Sequence, residues 1–467
     1  MKKIVEFLLT FLVFAGLIGA IIFLGFKNHR GLFFYLAQQA GFAPEFDYVS
    51  GTGSMYPTFP RGTGKSDLEN SKEVVAGHNT RRYPGGIVFF NKRYFGYELK
   101  RGDIVFFANA KTRDIIAKEA SSSSDLDTGF VKRVIALPKD KIEIRDGFVK
   151  LNNQILSEPY IAKAKSTYGG DFLPDCKILT VPDGYVFVMG DNRKGSNDSR
   201  FDLQLVALDD IRTVIPIDDQ KDLTKNWRDT SKDTNEANKP VFDISTYMKL
   251  INAKRKAQNI PQLSYKKELE QSAQKRARII IKFNDTSFEA TKSGYTMKKA
   301  MNEVGYANTV WGELPAVGYY EAEELVDNYF QFPNSKKFIL NPEFSETGIS
   351  TEVGEINGCP VQIVVQHLAG YIPPNYPKTT IDNWEKLVAN LEEAFTSWEK
   401  IKNSQPANKN DFDRLLELIK KRKDNAQIIL SQMKNNLWLT NTQEQMANED
   451  SSLHEEIINL VNKLNQN

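Results

Sequence analysis

Apolar residues gather near the start of the chain into an uncharged run from Phe7 to Phe26, with Lys2 and Lys3 before it and Lys27, His29 and Arg30 after it. As a helix rising 1.5 Å per residue, a run of about 20 residues matches the roughly 30 Å hydrocarbon core of a bilayer. The pattern predicts an uncleaved membrane anchor within residues 1–30. A cleaved signal peptide is the other meaning of such a run, but its apolar region spans only about 7–15 residues. Lys2 and Lys3 favour a cytoplasmic amino terminus, which leaves the bulk of the chain outside.

From 31 to 218 the pattern changes to short β-type runs set off by turn residues. Arg101-Gly102-Asp103 precedes Ile104-Val105-Phe106-Phe107, and Asp146-Gly147 separates Ile142-Glu143-Ile144 from Phe148-Val149-Lys150. Pro182-Asp183-Gly184 precedes Tyr185-Val186-Phe187-Val188-Met189. Short strands joined by tight turns predict an antiparallel β domain. Residues 219–240 are polar, with Leu223 and Trp227 as the sizeable apolar groups, and read as a solvated linker. In 241–374, Ile244, Tyr247, Met248 and Ile251 recur at helical spacing and Val361 to Val365 form a strand-like run, which predicts a mixed α/β domain. Beyond 375, Trp384, Leu387, Leu391 and Phe395, then Leu415, Leu416 and Ile419, then Ile457, Ile458 and Val461 mark two or three amphipathic helices. The expected architecture is multidomain: an N-terminal transmembrane helix, a mainly antiparallel β domain, an α/β domain and a C-terminal α-helical region.

A length of 467 residues fits this division into several cores. The formal net charge of +2, without a basic stripe interleaved with aromatics, argues against nucleic acid as a partner. Two cysteines, Cys176 and Cys359, lie far apart and in different predicted domains, with no Cys/His spacing of a metal site, so neither a disulfide scaffold nor a metal or cofactor is expected.

The candidate chemistry sits in three segments of the β domain. Gly51-Thr52-Gly53-Ser54-Met55-Tyr56-Pro57-Thr58 leaves a hydroxyl beside glycines that let the backbone approach a ligand, which makes Ser54 a candidate nucleophile; an ordinary Gly-rich turn has the same composition. A serine hydroxyl needs an adjacent base, and His29, His78, His367 and His454 lie in no comparable motif, although His78 stays open as an alternative. Lys132 lies in the largely apolar run Phe130 to Pro138. Burial disfavours the charged amine and would free it to accept a proton, whereas a snorkelling lysine on a strand edge gives the same pattern. The third segment, Met189 to Arg200, puts a dense set of hydrogen-bonding groups directly after an apolar strand, which a solvated surface turn would also do.

Together and in this order, the Ser54 motif, Arg101 to Phe106, the Lys132-Arg133 strand and the Gly190 to Arg200 block resemble the type I signal peptidase family over roughly the first 215 residues. The resemblance implies a serine endopeptidase that removes signal peptides from exported pre-proteins, with Ser54 as nucleophile and Lys132 as general base. It implies that Ser196 holds the lysine amine by a hydrogen bond and that Thr52 joins the Ser54 backbone N–H in an oxyanion hole. Asp191, Asn192, Arg193, Asp198 and Arg200 would support the site. It further implies a largely antiparallel β fold, a groove facing the membrane and pockets for small residues at positions −1 and −3 of the substrate. The expected partners are membrane lipid and the signal peptides of exported pre-proteins. Met55 and Phe59 are either core residues or dip into lipid. Two departures are visible: Ala136-Leu137-Pro138-Lys139-Asp140 where the family usually has glycines, and Lys194-Gly195 in place of a common Asp-Asn pair.

In the next domain, Asn341 to Ile349 followed by Val361 to Val365, with Leu250 to Ala257 and Leu263 to Arg278 as opening helices and Trp311-Gly312-Glu313, resembles the CAP (cysteine-rich secretory, antigen 5, pathogenesis-related) superfamily. That family's cavity carries two histidines, where Lys275 or its neighbours and Ser335 stand here, so the domain reads as a binding or positioning module whose ligand is open, and Glu313 reads as a structural residue. The alternative for the whole chain is a membrane-anchored, extracytoplasmic CAP-type binding protein with a reduced or inactive peptidase domain. A self-cleaving peptidase with the same dyad is disfavoured, because the linker lacks a good small-x-small site.

Overall fold

The computed structural model describes residues 12, 15, 16, 18, 19, 31–64, 67–120, 129–235, 240–404 and 409–465. The expected anchor over 7–26 therefore lies almost wholly outside the described residues, and among those described no helix is long and apolar enough to cross a membrane. Residues 1–370 and 371–467 form two compact units.

The first unit opens on a seven-stranded antiparallel sheet. Its strands are β1 (Glu45–Ser50), β2 (Val74–Arg82), β3 (Ile104–Phe107) and β4 (Phe130–Ala136). After a separate hairpin of β5 (Lys141–Arg145) and β6 (Phe148–Leu151) come β7 (Tyr185–Met189), β8 (Val206–Ala207) and β9 (Ile211–Ile215). The sheet order is β1-β2-β9-β3-β4-β7-β8, so β4 is an interior strand, paired with β3 through Val105 opposite Lys132 and with β7 through Met189 opposite Arg133. Successive side chains on a strand face opposite ways. Val134 accordingly enters the core of Val105, Phe107, Val186, Val188 and Val214, while Ile135 enters that of Ile142, Ile144, Val149, Phe187 and Met189. Both faces of β4 are covered, which is why its sequence is nearly continuously apolar around its two cations. The four strand-like runs expected around Ile104, Ile142, Phe148 and Tyr185 are all strands.

The polar segment after residue 218 starts packed rather than solvated. Gln220 is buried and its amide bonds Arg133 and the carbonyls of Gly102 and Ile215, while Trp227 meets the Tyr160 ring. Its polarity satisfies buried polar partners, which composition alone does not distinguish from contact with water.

Within the same unit, helices α1 (Ile244–Ala257) and α2 (Lys267–Phe283) flank a sheet built on β10 (Val310–Val317), β11 (Glu346–Ile356) and β12 (Cys359–Gly370), with Ser264–Tyr265 on its edge. Helix α3 (Ala322–Gln331) packs Leu325, Val326 and Tyr329 into a core with Tyr247, Ile251, Ile349 and Val364. This is the expected α/β domain, with Leu263 outside α2. The cysteines, which gave no sign of pairing in the sequence, form a disulfide between Cys176 and Cys359 that ties the two domains together.

The second unit consists of α4 (Lys378–Ser404), α5 (Lys409–Lys434) and α6 (Asn441–Asn465), matching the three amphipathic patterns. Leu391, Leu415, Leu418, Ile419, Leu453 and Ile457 make its core, and Arg422 binds Asp450 and His454 between α5 and α6.

Candidate active site

Ser54 follows β1 in a tight turn in which the Tyr56 N–H donates to the Gly53 carbonyl at 3.1 Å and the Phe59 N–H to that of Met55 at 3.1 Å. Met55 and Phe59 anchor the turn in a core with Val49, Ile104, Phe106 and Ile215, which decides between the two readings of this pair in favour of packing. Lys132, on β4, is 3 % exposed, and its Nζ donates to Ser54 Oγ at 2.9 Å and to the Val131 carbonyl at 3.1 Å, above the Phe130 ring. Two residues 78 positions apart in sequence are thus brought into direct hydrogen-bond contact.

The block after β7 closes the site from the other side. The Asn192 N–H donates to the Ser54 carbonyl at 3.1 Å, and Asn192 Nδ2 to the Gly53 carbonyl at 3.0 Å. Gly190 lies between Ser54 and Ser196, so that a Cβ at this position would overlap the Ser54 carbonyl oxygen and Ser196 Oγ. Among the described residues Ser196 Oγ is buried without a hydrogen-bond partner, so the expected bond from Lys132 is not formed, and the amine meets Ser54 and Val131. Thr52 is exposed in the same turn as Ser54.

Three buried ion pairs hold this arrangement. Arg133, facing away from Lys132 on β4, binds Asp191 through two bonds of 2.8 and 2.7 Å, and also meets Gly102, Gln220, Thr58 and the Tyr160 ring. Arg193 binds Glu158 through both terminal nitrogens, Thr167 and the Gly190 carbonyl. Burial would lower its pKa, but Glu158 more than offsets that and holds it above the usual arginine value. Asp198 accepts from Arg200 and from the Gly190 N–H; burial would raise its pKa, yet Arg200 and these bonds keep it below the ordinary carboxylate value. Removing one member of such a pair leaves an uncompensated buried charge, costing about 3–5 kcal/mol. Arg133 and Glu158 are the supports that sequence reasoning missed. An arginine beside Lys132 in an apolar strand was the available signal for the first, and nothing local marks Glu158.

Among the histidines, His78 lies on β2 opposite Asp47 with Nδ1 at the Asn79 carbonyl, and His454 is bound to Arg422; His29 is outside the described residues. The side chain in contact with Ser54 Oγ is thus a lysine amine, that of Lys132.

Residues 46–216 match the family described as signal peptidase, peptidase S26. Signal peptidase I S of Bacillus subtilis (strain 168) is 34 % identical over 170 residues, which are 35 % of this chain and 69 % of that protein. The chain belongs to the signal peptidase I family. Signal peptidase I T of the same strain is 38 % identical over 138 residues, 28 % of this chain, and the chain spans only 62 % of that relative's length. Residues 248–367 match the cysteine-rich secretory protein family, CAP. A solved extracellular protein containing an SCP domain from Bacillus anthracis aligns over 61 % of this chain and 100 % of that one, at 12 % identity and a TM-score of 0.23. A signal peptidase domain and a CAP domain are thus fused in one chain.

In the CAP domain, Glu313 is buried on β10, where Arg276 of α2 binds its carboxylate at 2.8 and 2.7 Å and His367 Nε2 lies 2.9 Å from it. The other imidazole nitrogen meets Ser272 at 2.7 Å. Burial pushes His367 down, with Glu313 opposing, so the neutral imidazole is favoured. Burial would raise Glu313, but Arg276 and His367 hold it below its ordinary value. The arginine, seated against Glu313 in a closed interior network, leaves that carboxylate already neutralised. Lys275 pairs instead with Glu303 outside it, and Ser335 lies on the short helix Pro333–Ile339.

Proposed function

We propose that this chain is a membrane-bound serine endopeptidase that removes signal peptides from exported pre-proteins through a Ser54–Lys132 dyad. The observation that carries the reading is the 2.9 Å contact between Ser54 Oγ and a Lys132 amine that is 3 % exposed. A buried amine is disfavoured as the cation, and its neutral form accepts the Ser54 proton as Oγ attacks the scissile carbonyl. The tetrahedral intermediate forms with its oxyanion near the Ser54 N–H and the exposed Thr52 hydroxyl. Lys132 then returns the proton to the leaving amine as the peptide C–N bond breaks. Water, deprotonated by the same amine, hydrolyses the acyl group on Ser54. The three ion pairs hold Gly190, Asn192 and Ser196 against the nucleophile.

Membrane attachment is supported by the apolar run at 7–26 and by exposed apolar side chains on β1, β2 and a neighbouring hairpin in sequence. Phe46 and Tyr48 of β1, the strand leading to Ser54, are exposed, as is Val74 of β2. The hairpin of Ile87–Phe89 and Lys92–Tyr94 leaves Ile87, Val88 and Phe89 exposed, Phe90 at 89 % and Phe95 at 80 %. Aromatic and aliphatic side chains crowded at a tip beside Lys92 and Arg93 suit the boundary between lipid and water. The specificity is tested with a pre-protein carrying an Ala-x-Ala site. Replacing either alanine by phenylalanine is expected to reduce cleavage by the full chain by at least ~100-fold, since overfilling a small pocket misplaces the scissile bond. Equal cleavage of both substrates would contradict small −1 and −3 pockets.

A further inference from the structure

The two residues by which the Gly190–Arg200 block departs from the family pattern, Lys194 and Gly195, both lie on the seam with the CAP domain. The Lys194 side chain is buried against that domain: Nζ pairs with Glu324 of α3 at 2.7 Å, donates to the Tyr319 carbonyl and lies 3.8 Å from the centroid of the Tyr320 ring. Asn328 Nδ2, also on α3, donates to the Lys194 carbonyl at 3.1 Å. A Cβ on Gly195 would overlap the side-chain amides of Gln331 and Asn192, so glycine lets the end of α3 reach Asn192.

From there the contacts run to the nucleophile. With its amide oxygen toward Arg61, Gln331 accepts from both terminal guanidinium nitrogens at 2.8 Å and from Asn192 Nδ2 at 3.3 Å. The Asp327 carboxylate lies 3.8 Å from the same guanidinium. Arg61 in turn covers the Tyr56 ring at 4.3 Å, and its stem passes over Gly53. Asn192 bonds the carbonyls of Gly53 and Ser54. The residues on both sides of Ser54 are therefore gripped by two side chains that the CAP domain holds. Ser166 Oγ, bonded to Glu324 at 2.6 Å, and the Cys176–Cys359 disulfide fix α3 against this face.

We infer that the CAP domain completes the peptidase centre within the same chain, with Asp327 and Gln331 of α3 acting as positioning residues that hold the 51–56 turn through Arg61 and Asn192. This rests on the assignment of Ser54 as nucleophile. A turn containing Gly51 and Gly53 has little stiffness of its own, and a displacement of about 1 Å at a reacting atom costs up to ~100-fold in rate.

The test uses the full chain carrying Gln331→Ala, Asp327→Asn or Gln331→Glu, whose carboxylate still accepts from Arg61. Cleavage of a pre-protein is followed together with amide hydrogen exchange at 51–56 and at 361–365. Gln331→Ala is expected to lower kcat about tenfold with KM changed less than about twofold, and to speed exchange at 51–56 but not at 361–365; Asp327→Asn should act in the same direction and Gln331→Glu should restore both readouts. Unchanged exchange at 51–56 would overturn the inference, as would a change confined to KM, or a Gln331→Glu variant as impaired as Gln331→Ala. If the wild-type chain cuts no pre-protein, the peptidase reading fails, and exchange alone decides whether α3 holds the turn.

Discussion

At the scale of residues, the site is a set of opposite charges withdrawn from water around one hydroxyl and one amine. Ser54 and Lys132 were legible because four motifs stood in a known order, and the contact between them is what that order implies. Two of the three supporting pairs were not legible, since Arg133–Asp191 and Arg193–Glu158 join residues 58 and 35 positions apart. Ser196 illustrates the limit: its place beside Gly190 follows from the block, but its hydroxyl makes no bond to the lysine. Asp175, next to the disulfide, gives a pH-dependent prediction. Burial raises its pKa from 3.8 to about 6, against the Gly169 N–H and Arg200, which lower it. The folded state therefore binds more protons than the unfolded one between those values, so this group's contribution to stability falls as pH rises from about 4 to 6. Asp175→Asn removes that penalty. Relative to wild type it should gain on the order of 2 kcal/mol between pH 4 and pH 7 in urea unfolding; a difference independent of pH would contradict the assignment.

At the scale of elements, periodicity carried most of what could be read. The strands at Ile104, Ile142, Phe148 and Tyr185 and the three C-terminal helices follow directly from where apolar residues recur. The hairpin at Ile87–Tyr94 was missed because its apolar residues stay outside, and no local rule separates an exposed apolar strand from a buried one. The start of the polar segment was read as solvated because composition does not show that Gln220 satisfies Arg133. In the C-terminal unit, Leu415 is fully buried at the centre of the helix core. Leu415→Ala should cost about 2–5 kcal/mol. The loss should appear as an earlier helical melting transition by circular dichroism, with pre-protein cleavage unchanged; a single unaltered transition would contradict an independent core in this unit.

At the scale of the whole molecule, a signal peptidase domain and a CAP domain meet along one seam. The disulfide from Cys176 to Cys359 fits folding in an oxidising compartment outside the cytoplasm. Neither cysteine signalled this in the sequence, because pairing is a property of how the domains dock. The buried Lys194 and the close approach at Gly195 place both departures from the family pattern on the seam with the CAP domain. Beside this seam, Ser54 and Lys132 are proposed to hydrolyse the peptide bond. The most direct measurement is cleavage of an Ala-x-Ala pre-protein by the detergent-solubilised full chain, with the product's amino terminus sequenced, beside Ser54→Ala and Lys132→Ala. Cleavage after the second alanine is expected from wild type, with a loss of at least ~10³-fold in either folded variant. Cleavage retained in either variant, or an inert wild type, would contradict it and leave an anchored CAP-type binding protein.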